Sequence, residues 1–244
     1  MVAFVIRTDL DKLLPLLQAD RKRINTSAAI ALTRVAKSAQ AEIRTEMQRV
    51  FDRPTPYALN STYVKPATPS RLTSEVGIKD QLSAGKGTAG IKFLSPQIYG
   101  GERGMKRFEK ALQARGLMPV GMYAVPGGAA KLDAYGNMAA SQIRSILSAL
   151  GAAETYAGYS ANRTQRSRKR NRRMANYFVG RPGGGRLPLG VWQVFRFAMG
   201  SAVKPVVIFT KAPRYKIRLQ FQDIVERVFD RDFNAFFADA LAVG

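Results

Sequence analysis

The run Lys216-Ile-Arg-Leu-Gln-Phe-Gln-Asp-Ile-Val-Glu-Arg-Val-Phe-Asp-Arg-Asp-Phe-Asn-Ala-Phe-Phe-Ala-Asp-Ala-Leu-Ala242 changes its hydrophobic period in mid-course, and that change sets the fold class. Ile217, Leu219 and Phe221 alternate with Lys216, Arg218, Gln220 and Gln222, the pattern of a half-buried strand. From Asp223 onward the apolar residues recur as Val225, Val228, Phe229, Phe233, Phe236, Phe237, Ala240 and Leu241, the spacing of one helix face. Strand therefore passes directly into a closing helix, whose phenylalanines are expected in the core.

Upstream, Tyr177–Val179, Leu189–Phe197 and Val203–Phe209 are rich in aromatic and β-branched residues and read as strands. Pro205 places its strand at an edge or bulge, and Pro182–Gly185 reads as a hairpin turn. At the other end of the chain Ala28, Leu32, Val35, Ala36, Ala39, Ile43, Met47 and Val50 share one helical face from Thr26 or Ser27 onward. Pro54 and Pro56 stop that helix, and Pro15 obscures anything regular before it. Val2–Ile6 is β-prone, with Thr8 placed to cap a following helix and Asp11 three residues on.

Between these ends, Asn60–Lys65 and Leu72–Lys79 read as a β-pair and Ile91–Leu94 as a further strand. A helix spans about Met105 to Ala114, stopped by Gly116. Leu117–Leu132 carries Pro119, Pro126, Gly127 and Gly128 and reads as an extended excursion, with Gly116–Ala130 a protease-sensitive arm. Asp133–Asn137 is a turn whose Asn137 caps a helix ending at Gly151. The expected architecture is α+β: a mostly antiparallel sheet, long N- and C-terminal helices packed on one face, and a helical insertion. The expected organisation has residues 1–116 as the first part of a single domain, 117–175 as the insertion and 176–244 as the remainder of that domain.

Composition removes whole classes of chemistry. The chain has 244 residues, no histidine and no cysteine, so imidazole bases, thiolate nucleophiles, disulfides and His/Cys zinc sites are excluded. Carboxylate chemistry on magnesium has only 17 acidic residues to draw on, and the Asp230-x-Asp232 pair sits on a helical face where solvation explains it. No phosphate-binding glycine motif is present. No apolar run is long enough to span a bilayer, and the N-terminus does not read as a signal peptide, so no membrane is expected and synthesis is expected in a cytoplasm. The chain reads as a non-enzyme without cofactors or metals.

Charge points to docking instead. The formal net charge is +22, well beyond what solubility requires. It is most concentrated in Asn162-Arg-Thr-Gln-Arg-Ser-Arg-Lys-Arg-Asn-Arg-Arg173, where Arg163, Arg166, Arg168, Lys169, Arg170, Arg172 and Arg173 have no acidic neighbour. Like charges this dense cannot be buried together, so the segment is expected to be a solvated loop that orders against a negative partner. Acidic protein and nucleic acid both qualify; the protein partner is the preferred reading because arginine's fork suits carboxylates. Tyr156, Tyr159 and Tyr177 flank the segment and leave open a second reading, a basic nucleic-acid-binding protein without catalytic activity.

Three phrases resemble a known group. Ala-Ala-Ile-Ala-Leu-Thr-Arg-Val-Ala-Lys-Ser-Ala, residues 28–39, resembles the alanine-rich opening helix of minor tail and tail-completion proteins of tailed phages, the group similar to the minor tail protein Z of phage lambda. Ser95-Pro-Gln-Ile-Tyr-Gly-Gly-Glu-Arg-Gly-Met-Lys-Arg-Phe-Glu-Lys-Ala-Leu112 looks like a segment common in prophage tail proteins, and the aromatic helix Phe229–Leu241 is similar to theirs. The likeness touches about half the chain, and Gly100-Gly101-Glu102-Arg103 is its most specific phrase. It implies an α+β subunit of a homo-oligomeric ring at the head-proximal end of a tail, joining tail to filled head. The partners it implies are further copies of itself and tail terminator, tube or neck connector proteins, with DNA in the channel as the other contact. The implied location is the virion, with the host cytoplasm during assembly. No catalytic residues carry across.

Overall fold

The computed structural model describes residues 10–80, 88–153, 155–156, 159–160, 162, 164, 166 and 176–243. The fold is α+β, every strand pairing in it is antiparallel, and the first and last helices pack on one another. The chain forms two compact units, residues 1–94 with 217–244, and residues 95–216. These cut across the three-part division expected from sequence.

The first unit is built on α1, Leu10–Val50, whose 41 residues give a rod about 62 Å long. Pro15 lies within it, so the helix begins well before the face that the periodicity identified. Its buried positions include Ser27, Ala31, Val35, Ala39, Ile43 and Met47, a ridge stepping by four. The closing helix α6, Phe221–Val243, answers with Ile224, Val228 and Ala240 buried, and Asp232 and Phe236 half-buried, again stepping by four. Two i±4 ridges interdigitating is the commonest way helices pack, and alanines in the α1 ridge let the backbones approach. Ser27 Oγ donates to Ala240 O at 3.1 Å, tying the start of one contact ridge to the end of the other. Arg227 and Arg231 both reach Glu42, at 2.5 and 3.2 Å. Thr55, Pro56 and Ala58 nucleate a single turn, α2 (Pro56–Leu59), with the Thr55 side chain accepting from Ala58 N. β1 (Thr62–Lys65) and β2 (Glu75–Ile78) then pair as expected and are latched to α1 by Gln40 Nε2 donating to Thr62 Oγ1. The strand partner of α1 is thus this two-stranded ribbon.

The second unit holds a four-stranded sheet ordered β4 (Met122–Pro126), β9 (Gly200–Lys211), β8 (Gly190–Phe197), β7 (Asn176–Gly180). The β7–β8 turn contains Gly183, Gly184 and Gly185, all at positive φ, which is why a glycine run stands there. The register slips by one residue at Val191/Trp192, opposite the Val206 step beside Pro205, so Pro205 does mark a bulge. Gly190 is needed for a different reason: a Cβ there would lie 2.1 Å from Val207 O. On the sheet sit α4 (Arg107–Ala114) and α5 (Ala140–Leu150), closing a core of Phe108, Leu112, Met118, Ile146, Val191, Val206, Val207 and Phe209. Short pairs complete the unit, β3 (Gly101–Glu102) with β10 (Arg214–Tyr215), and β5 (Thr155–Tyr156) with β6 (Tyr159–Ser160).

Several expectations are corrected. Ile91–Leu94 lies in a helix, α3 (Gly90–Tyr99), because Ile91, Leu94 and Ile98 continue a helical period that a four-residue window cannot show. Lys216–Gln222 is not a strand: only Arg214–Tyr215 pairs, and Phe221 already opens α6. Leu219 is nonetheless fully buried while Ile217 is exposed, so the alternation reports burial without a ladder. Gly116–Ala130 is not a free arm. It supplies edge strand β4, with Tyr123 buried, and Gly127 N and Ala129 N donate to Val206 O and Pro205 O at 2.9 and 2.8 Å. The Gln142 amide fixes the chain just beyond β4, accepting from Lys131 N and donating to Ala129 O. Asn137 does not cap α5, whose N-cap position is Ala139. Asp133 instead organises that turn, accepting from Tyr135 N and Asn137 N at 2.9 Å each. Val35, Ala39 and Ile43 are buried as expected, Ala28, Leu32, Val225, Phe233 and Phe236 are half-buried, and Phe229 is 41% exposed. Val2–Ile6 and Thr8 lie outside the described residues.

Candidate docking surfaces

Among the described residues no cluster of three or more acidic side chains is placed to hold a metal, and no helix is long and apolar enough to cross a membrane. The surfaces that stand out are of three kinds, a rooted basic segment, an apolar hairpin tip and a helix pair with two unlike sides.

Of the basic segment, Arg166 is described and exposed; Arg163, Arg168, Lys169, Arg170, Arg172 and Arg173 lie outside the described residues. Its roots are nevertheless defined. On the N-terminal side, Asn162 Oδ1 accepts from Ala153 N at 2.8 Å and its Nδ2 donates to Ala153 O at 3.2 Å, closing the β5–β6 turn onto the end of α5. On the C-terminal side, Asn176 begins β7, an outer strand of the sheet. Asn162 and Asn176, which flank the basic segment in sequence, are therefore both held in the packed unit.

That scaffold is held by a buried ion pair inside the phrase Gly101-Glu-Arg-Gly-Met-Lys-Arg-Phe-Glu109. Glu109 is fully buried and accepts four hydrogen bonds: from Arg103 Nη1 and Nη2 at 2.8 and 2.5 Å, from Lys106 N at 2.7 Å and from Ala124 N at 2.8 Å. One carboxylate thus joins the α4 N-terminus, the β3 loop and edge strand β4. Arg103 also lies over the Tyr123 ring, 4.7 Å from its centroid. Burial pushes the Glu109 carboxyl up, but the Arg103 guanidinium and the two backbone N–H groups outweigh it and hold it below the usual carboxylate range. The Lys106 ammonium is pushed down by burial and by Arg103. The six-residue Arg103–Glu109 spacing is not one that puts two side chains on a shared helix face, so sequence alone did not reveal the pair.

In the second unit, β8 and β9 run on beyond their outer neighbours. Among the described residues β7 pairs only as far as Val194 and β4 only from Val207, so Phe195–Val203 there form a two-stranded projection. Phe197 and Met199 at its end are 61% and 101% exposed, and Lys204 lies over the Phe195 ring.

In the first unit the helix pair has two different sides. One is a cleft of about 500 Å³ lined by Ile30, Ala240 and Val243, with Lys22, Arg23 and Arg34 around it and, among the described residues, no acidic side chain in its lining. The other is an aromatic ridge on α6. The rings of Phe229 and Phe233 stack with centroids 4.9 Å apart, and those of Phe233 and Phe237 with centroids 5.9 Å apart. Neither was visible in sequence, since the cleft joins residues more than 200 positions apart and the ridge reads as core.

No protein-family model, curated protein or solved structure matches this chain.

Proposed function

We propose that this protein is architectural: a ring-forming tail-completion or head–tail joining subunit of a tailed phage, working by docking and not by catalysis. The observation that carries the proposal is a dense cationic segment rooted at both ends in a packed unit, on a chain whose surface also presents apolar ridges and a projecting hairpin. Such features bury area only on assembly. The phrases at residues 28–39, 95–112 and 229–241 resemble tail proteins, and they fall in α1, in the segment that holds the Arg103–Glu109 clamp, and in α6. The basic segment would meet an acidic face on a neck or tail-terminator ring, where arginine pairs bidentately with carboxylates and selects the correct neighbour.

Replacing Arg168, Lys169, Arg170, Arg172 and Arg173 with serine should leave the melting temperature unchanged and reduce the joining of purified tails to filled heads at least tenfold. Parent binding to isolated tail ends should weaken only shallowly with salt. A steep fall in affinity with salt, shared by any duplex DNA, would instead favour the nucleic-acid reading, because each phosphate contact releases counterions.

A further inference from the structure

We infer that copies of this chain dock head to tail, the aromatic ridge of α6 in one copy seating in the basic-rimmed cleft between α1 and α6 of the next. The inference rests on the ring reading above and specifies which surfaces build the ring.

Helix geometry puts the two surfaces on opposite sides of one helix pair. Ala240 belongs to the contact ridge against α1. Val243, three residues on, lines the cleft; Phe237, three residues back, ends the aromatic ridge. At 100° per residue these flank Ala240 by about 60° on either side. A surface and its receptor on different sides of one body give a heterologous contact, which propagates from copy to copy and forms a ring where its rotation closes.

The chemistry is complementary in both apolar and charged parts. Phe229 is 41% exposed although its ring is stacked on Phe233, so the ridge offers a stiff apolar rib. The cleft offers Ile30 and Val243, 41% and 90% exposed, as its apolar wall. One helical row beyond the ridge, Glu226 and Asp230 are exposed and form no ion pair among the described residues. Around the cleft, Lys22 and Arg34 are exposed and likewise have no acidic partner among the described residues, while Arg23 is directed to Leu241 O at 2.9 Å. Ridge against cleft brings an acidic flank, Glu226 and Asp230, to a basic rim, Lys22 and Arg34. Ridge against ridge or cleft against cleft would bring like charges together, so the charge pattern selects the head-to-tail arrangement over a two-fold dimer.

Two exposed charge reversals test this in the full chain, by sedimentation velocity at micromolar concentration with melting temperatures as the folding check. The Lys22→Glu/Arg34→Glu variant and the Glu226→Lys/Asp230→Lys variant should each sediment as monomer under conditions where the parent is oligomeric. Mixed one to one, they should re-associate into alternating oligomers, since every contact then pairs a basic surface with an acidic one, and these close like the parent's ring where its subunit number is even. Parent-like assembly of either variant alone, or a mixture that stays monomeric, would overturn this interface while leaving the ring reading in place. A parent that stays monomeric at every concentration and salt would overturn both.

Discussion

Replacing Glu109 with alanine should destabilise the second unit by about 3–5 kcal/mol, because it leaves the Arg103 guanidinium, only 14% exposed, without its counter-ion. The loss exceeds that of one salt bridge. The same carboxylate satisfies Lys106 N at the start of α4 and Ala124 N in β4, so two backbone donors are stranded together with the cation. Urea denaturation followed by Trp192 fluorescence reports on this unit, since that residue is its only tryptophan and is buried with Nε1 donating to Gly180 O. Glu109→Gln should recover part of the loss through its amide oxygen. The pH dependence has a definite sign. A carboxyl held below its ordinary range in the folded state contributes stability that is complete above that range and is lost as pH falls from it through the lowered folded-state value. The parent's urea midpoint should therefore drop on acidification, and Glu109→Gln should show a smaller drop. Equal midpoints for parent and Glu109→Ala at neutral pH would remove the clamp from the account.

Ile43→Ala should destabilise the first unit by about 2–5 kcal/mol, whereas Phe229→Ala should cost about 1 kcal/mol or less. Ile43 is fully buried in the α1 contact ridge, so truncation leaves a cavity between two helices that cannot easily close. Phe229 lies one row away from the α6 contact ridge and is 41% exposed; the deletion removes mainly its stacking on Phe233. Thermal or urea unfolding followed by far-ultraviolet circular dichroism would rank the two. The reverse order would put the phenylalanines in the core, as their sequence spacing alone suggests, and would remove the ridge as a docking surface.

The contrast between Ile43 and Phe229 also shows what the sequence could and could not convey. Periodicity sustained over many residues was decisive: α1 from Ser27, α5 to Gly151 and the β7–β8–β9 strands stand close to where their patterns place them. In α6 the period was right but the face was not, because Phe229, Phe233 and Phe237 form a row adjacent to the Ile224, Val228 and Ala240 row, and the larger side chains dominate the pattern. Composition misled at residues 117–132. Proline and glycine read as loop there, yet Pro126 lies in an edge strand, where a missing N–H is tolerated, and Gly127 permits an approach in which a Cβ would fall 2.6 Å from Pro205 O. Short patterns failed for a different reason. Ile91–Leu94 and Lys216–Gln222 each fit a strand template over too few residues, and among the described residues no partner strand pairs with either one. Of the surfaces, the basic segment is legible as charge density, whereas the cleft requires knowing that Lys22 and Arg34 share a wall with Val243.

The central claim is that the chain functions by assembling. Negative-stain electron microscopy of the purified full-length protein, alone and mixed with phage tails that lack it, tests this most directly. Closed rings of one diameter, or density added at a single end of the tail, is the result the account predicts. Unassembled particles that leave tail ends bare and instead coat duplex DNA would contradict it.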